Sequence, residues 1–178
     1  GVGAPRDLKK AAGLYREAAR LDYAPAQFAY AQMLDRGDLG KPDVKQALAW
    51  YEHAAKYDHP GALYALGAAY DAGDGVASDP ARALTYYQQA ALKGSAPAAR
   101  AMADHLYRGE GVTRDLTAAR KLFETAAIHG DAEAMYSLGA MLMRGEGGEV
   151  DNVKAWVWIR LAQAGKVDAA PAALAILE

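Results

Sequence analysis

Residues 61–91 read GALYALGAAYDAGDGVASDPARALTYYQQAA, and this stretch decides the fold. Its first part carries Ala62, Leu66, Gly67 and Tyr70 at helical spacing, so one face of a helix over 60–72 is apolar. The helix meets Gly73-Asp74-Gly75, a breaker that ends it. Asp79 then stands where a second helix begins, with a carboxylate able to accept from the first free backbone N–H groups. Pro80 follows in the first turn, where its missing N–H costs nothing. Ala83, Tyr86, Tyr87, Ala90 and Ala91 complete a second amphipathic stripe.

The same pattern recurs every 36 residues in both directions. Alanine pairs fall at 18–19, 54–55, 90–91 and 126–127, and glycines at 37, 73, 109 and 145. Asp7, Asp43, Asp79, Asp115 and Asp151 form a third column, and Ala11, Ala47, Ala83, Ala119 and Ala155 a fourth. Further first helices are expected over 24–36, 96–108 and 132–144. They point Ala26/Tyr30/Ala31/Leu34, Ala98/Met102/Ala103/Leu106 and Ala134/Leu138/Gly139/Leu142 inward. A large residue beside a small one lets the neighbouring helix approach closely. Gly94 and Gly130 stop the second helices, and Asp58 takes that place in the first full unit. Neither helix buries its stripe alone, so units must stack.

These residues resemble the Sel-like repeat (SLR) family, a relative of the tetratricopeptide repeat. The resemblance rests on A-x-A-x-x-x-[LM]-[GA]-x-x-[YL]-x-x-G-x-G-V-x-x-D-x-x-x-A-x-x-[YWL]-[YF]-x-x-A-A and covers essentially the whole chain. A tetratricopeptide array has a period of about 34, whereas the 36-residue period and the G-x-G-V loop favour the SLR pattern. Departures are Leu39 for the second loop glycine, Gly148 for the loop valine and Leu122 in the aromatic column. Gly165 falls where 166 is expected, so the last turn reads as one residue shorter. The expected fold is all-α: a right-handed α/α superhelical solenoid of about ten antiparallel helices. It forms one domain over 1–178, with a partial repeat at 1–23, four repeats at 24–59, 60–95, 96–131 and 132–166, and a terminal helix at 167–178. Gly1 and Gly3 align with Gly73 and Gly75, which would begin the chain inside a loop and leave helix 7–20, with Ala11, Leu14, Tyr15 and Ala18, without its natural neighbour. A fragment of a longer array is therefore expected.

Composition narrows the function. Twenty basic residues against twenty-two acidic ones give a net charge of −2, with no basic surplus to bind nucleic acid. No apolar run reaches the ~20 residues that span a bilayer, and the charges of residues 1–20 do not suit a signal peptide. Cysteine is absent, which removes disulfides and thiolate metal sites or nucleophiles and fixes no compartment.

Candidate chemistry is sparse. Gly73-Asp74-Gly75 and Gly109-Glu110-Gly111 superficially look like phosphate loops, but they follow helices and hold an acid between the glycines. Asp71, Asp74 and Asp79 lack the order of a calcium loop. His53, His59, His105 and His129 do not pair at metal-ligand spacing, and Ser78, Ser95 and Ser137 sit in no nucleophile elbow. No catalytic residue, metal or cofactor is expected. Trp50, Tyr51, Tyr86, Tyr87, Phe123 and Trp158 belong to the packing stripe, whereas Trp156 falls off it.

The resemblance implies a concave face lined by the first helices and open to a protein or peptide. Positions that avoid the packing stripe form four ladders: Phe28, Tyr64, Arg100, Tyr136; Gln32, Ala68, Asp104, Ala140; Asp35, Asp71, Tyr107, Met143; and Arg36, Ala72, Arg108, Arg144. The first and fourth combine the aromatics and arginines common at interface hot spots, although Phe28, Tyr64 and Tyr136 also suit groove filling. The expected function is a non-catalytic scaffold or adaptor, in line with the family's roles in bacterial envelope, signalling and secretion assemblies. The alternative is a regulatory or immunity-type inhibitor that blocks one enzyme. A β-lactamase-like activity, also associated with the family, finds no nucleophile here. The ends offer a self-partner, helix 7–20 against the last helix of a second copy. The resemblance leans towards a periplasmic or secreted setting over the cytoplasm.

Overall fold

The computed structural model describes residues 7–177, which hold ten helices and no strand. The alignment of Gly1 and Gly3 lies outside the described residues. Two compact units divide the chain at Lys93/Gly94. The first contains α1 (Leu8–Arg20), α2 (Ala24–Asp35), α3 (Val44–Ala55), α4 (Pro60–Ala72) and α5 (Pro80–Leu92). The second contains α6 (Ala96–Arg108), α7 (Leu116–Ile128), α8 (Ala132–Arg144), α9 (Asn152–Ala164) and α10 (Ala170–Leu177). Within each unit, every helix packs on the next in sequence.

The aspartate column caps as expected. Each carboxylate accepts from the backbone N–H three residues on, at 2.9–3.0 Å, for Asp7, Asp43, Asp79, Asp115 and Asp151. From Asp43 onward the same residue also donates its own N–H to the preceding helix: Asp43 to Leu34 O, Asp79 to Tyr70 O, Asp115 to Leu106 O and Asp151 to Leu142 O. One residue thus starts the second helix and ties it to the end of the first.

The small column has its predicted purpose. A Cβ on Gly67 would lie 2.6 Å from the Tyr87 ring, and one on Gly139 would lie 2.5 Å from Ile159. The first helices are buried more widely than one stripe suggests. Gln27, Met33, Leu63, Ala69, Ala99, His105 and Met141 are buried as well. Among these helices, α2, α4 and α8 have packed neighbours on two sides, so two adjoining stripes leave water. His105 is accommodated by a 2.8 Å hydrogen bond between Nδ1 and the Glu110 carbonyl. Gln27 donates to Ala19 O at 3.1 Å. On α1, Leu14 and Tyr15 remain 60% and 42% exposed, whereas Tyr51, at the equivalent place on α3, is buried.

One expectation is corrected. The last turn is not a residue shorter: the left-handed residue is Lys166, at φ 65°, continuing Asp22, Asp58, Gly94 and Gly130 at full period. Gly165 has φ −76° and serves a different end, since a Cβ there would lie 2.5 Å from that of Ala132. The helix register sets which residue turns, and the glycine one place earlier answers a close approach. A left-handed lysine costs roughly 1–2 kcal/mol, partly offset because glycine has more chain entropy to lose, about 0.4–1 kcal/mol. Lys166→Gly is therefore expected to raise stability by ~0.5–1 kcal/mol. The urea midpoint should increase, and a lower midpoint would refute this account of the turn.

Candidate functional site

In the first unit, Phe28, Gln32 and Asp35 project from α2, and Tyr64, Ala68 and Ala72 from α4. Together with Tyr51 of α3 and Asp74 of the loop after α4, they line a cavity of ≈410 Å³ open to solvent. That volume lies within the range of ligand-binding clefts, about 300–1,000 Å³. Phe28 is half-buried, stacked on His59 at 4.5 Å and tilted against Tyr51 at 5.8 Å. Tyr64 is also half-buried, 5.8 Å from the Tyr87 ring. Both aromatics fill grooves and also wall the cavity. The two readings of these residues coexist.

Tyr51 donates its hydroxyl to Asp35 Oδ2 at 3.2 Å. Burial, and secondarily the Asp35 charge, hold this phenol far above the usual tyrosine range, so it remains a donor. His59 is pushed down by burial, which suits its role as acceptor, Nδ1 taking the Ala62 N–H at 3.3 Å. Arg36 and Asp71 lie outside the cavity lining. Asp71 accepts from Tyr87 at 3.5 Å, and its carbonyl accepts from Ser78 at 3.2 Å.

The second unit has a cavity of ≈230 Å³ in the same register, lined by Asp104, Tyr107, Arg108, Phe123, Tyr136 and Arg144. Its charges are answered internally. Arg100, outside that lining, makes ion pairs with Asp131 at 3.1 Å and Asp104 at 3.5 Å. Burial raises the Asp104 carboxyl against the opposing pull of Arg100 and Arg108. Tyr107 donates to Glu146 Oε2 at 3.1 Å, Arg144 Nε pairs with the same carboxylate at 3.1 Å, and Arg144 Nη2 donates to the Tyr107 hydroxyl at 3.5 Å. Met143 packs into the apolar cluster of α9 and α10 around Ile159 and Leu174, away from this cavity.

The fourth ladder has a partner column invisible in a search for motifs. Two residues beyond each of its members stands an acid: Asp38, Asp74, Glu110 and Glu146. Arg36–Asp38 closes at 3.1 Å, Arg108–Glu110 at 3.6 Å and Arg144–Glu146 at 3.1 Å. In the second full repeat the arginine is Ala72, and Asp74 lines the open cavity instead.

Among the described residues no three His, Asp or Glu side chains gather as a metal site, and no helix is long and apolar enough to cross a membrane. Trp156 is 39% exposed, with the Arg160 guanidinium 5.4 Å from its ring.

A family model described as Sel1 repeat matches residues 1–23, 24–58, 60–95, 96–131 and 132–162. A Sel1 repeat protein from Oxalobacter formigenes has a crystal structure similar to this one at TM-score 0.90 and 30% identity, over 94% of this chain and 69% of that one. The structure of c5321, a protective antigen of uropathogenic Escherichia coli strains with an SLR fold, is similar at TM-score 0.88 and 32% identity. That match covers 96% of this chain but only 37% of the antigen, so the chain spans well under half of it. Cysteine rich protein B of Helicobacter pylori is similar in fold, at TM-score 0.59 and 19% identity over 76% of this chain and all of that one. No curated protein matches the chain.

Proposed function

This chain belongs to the Sel1 repeat family, and from that premise we propose that it is a non-catalytic scaffold holding a partner protein or peptide on its first-helix faces. Proteins of the family are in general scaffolds for protein–protein interaction. The observation that carries the reading here is the pair of solvent-open cavities in equivalent register, walled by aromatic and charged residues off the packing stripe. Such residues cost little as fold elements and are the types that dominate interface hot spots. Phe28, Asp35 and Tyr64 serve the first face, with Arg36 and Asp71 beside them. Asp104, Tyr107, Arg108, Tyr136 and Arg144 serve the second, with Arg100 beside it, whereas Met143 packs into the core. A role in a bacterial envelope, signalling or secretion assembly is part of the same proposal, the similar structures being of bacterial proteins.

The test is quantitative affinity capture with the chain and its Tyr64→Ala/Arg100→Ala variant. A hot-spot truncation of ≥2 kcal/mol weakens binding by about thirtyfold. Partners held by the wild type should be largely lost from the variant, with helicity unchanged by circular dichroism. Equal capture by a folded variant would overturn the assignment of these faces.

A further inference from the structure

We propose that the first unit's cavity is a receptor for an arginine side chain of a partner peptide, its guanidinium answered by the carboxylates of Asp35 and Asp74. The proposal rests on the scaffold reading and names what that scaffold grips. Its template is within the chain. In the second unit, Arg144 reaches both the Tyr107 hydroxyl and the Glu146 carboxylate. One repeat period counted twice, 72 residues earlier, those three positions hold Ala72, Asp35 and Asp74. The arginine has become alanine, and the phenol facing it has become a second carboxylate.

Two consequences agree with an exogenous cation. The cavity is ≈410 Å³ where Ala72 stands and ≈230 Å³ where Arg144 stands, so the missing side chain leaves room. Charge has also moved: among the described lining residues the acidic side chains are Asp35 and Asp74, with no lysine or arginine to answer them. Arg36, which follows Asp35 outside the lining, is engaged with Asp38 at 3.1 Å. The Tyr51 hydroxyl satisfies one Asp35 oxygen at 3.2 Å and leaves that carboxylate further lone pairs for a ligand. Phe28 and Tyr64 add aromatic walls, against which a guanidinium packs better than a hydrated ammonium. Arginine is preferred to lysine because its planar fork serves two acceptors at once.

The experiment displays random dodecapeptides and selects them on the full chain. The expected result is enrichment of arginine-containing peptides whose binding falls at least about tenfold when that arginine becomes alanine, as for a lost charge-assisted hydrogen bond. Asp35→Asn/Asp74→Asn should weaken the same peptide by a similar factor. Ala72→Arg should weaken it as well, by filling the site from within while leaving both carboxylates in place. This variant is expected to fold, since Ala72 is exposed and Arg36, Arg108 and Arg144 occupy the equivalent positions. Peptides selected without dependence on arginine, or bound undiminished by Ala72→Arg, overturn the receptor and leave the scaffold standing. Failure to select any peptide counts against both.

Discussion

Gly147→Ala is expected to lower stability by ~2–5 kcal/mol, against ~1–2 kcal/mol for Gly94→Ala. Both glycines are left-handed, at φ 72° and 85°, so both variants bear the cost of placing a side chain there, roughly 1–2 kcal/mol. Around Gly94 there is nothing within 4 Å of an added Cβ. Around Gly147 the added atom would overlap the Leu116 carbonyl oxygen and lie 2.7 Å from its carbon, at the start of α7. Backbone cannot swing aside as a side-chain tip can, and overpacking of this kind costs typically 1–3 kcal/mol more. The second loop glycine is therefore retained for the approach of the preceding repeat as much as for its own turn. Urea unfolding of the two variants separates these causes. Equal shifts in midpoint would show that backbone conformation alone accounts for both.

Phe123→Ala is expected to cost ~3–5 kcal/mol, a large part of the about 5–15 kcal/mol that holds a domain folded. Phe123 is 2% exposed and is the bulkiest of the fully buried side chains among the described residues. It also forms part of the lining of the second cavity, beside Tyr107 and Tyr136. Truncation joins the space it vacates to an existing opening, so neighbouring atoms have little to collapse upon. The urea midpoint should fall with an unchanged slope. A loss below about 1 kcal/mol would mean that the site repacks and that the ring contributes less than its burial implies.

The sequence made legible those features that each residue decides locally. Asp79 caps because it is an aspartate before a helical stripe, and Gly67 is small because Tyr87 lies over it. What depended on neighbours was less visible. One amphipathic stripe was evident on each first helix, yet Leu63 and Met141 are buried because α4 and α8 are flanked twice. Lys166 looked like an ordinary residue after a capping glycine; its left-handed backbone follows from the period of the array and not from its identity. At the candidate site, Phe28, Asp35 and Tyr64 were readable as ladder members, but Tyr51 read only as core. Asp74 read as loop punctuation. Its significance is relational: it appears only when Arg36–Asp38, Arg108–Glu110 and Arg144–Glu146 are seen as one pairing that Ala72 interrupts.

The backbone bonds from Asp43, Asp79, Asp115 and Asp151 to carbonyls nine residues earlier also bear on how the chain acquires its structure. Each such bond closes a loop so short that little entropy is lost before helix pairing offsets it. With every helix in a unit packed on its sequence neighbour, the mean separation of touching residues stays small. Chains of this kind search little and fold quickly. The proposed partner face differs at Ala72 from the equivalent positions of the other repeats without altering the aspartates that make these bonds. The position that differs between repeats, Ala72 against Arg36, Arg108 and Arg144, is thus separate from the aspartate column that closes these loops.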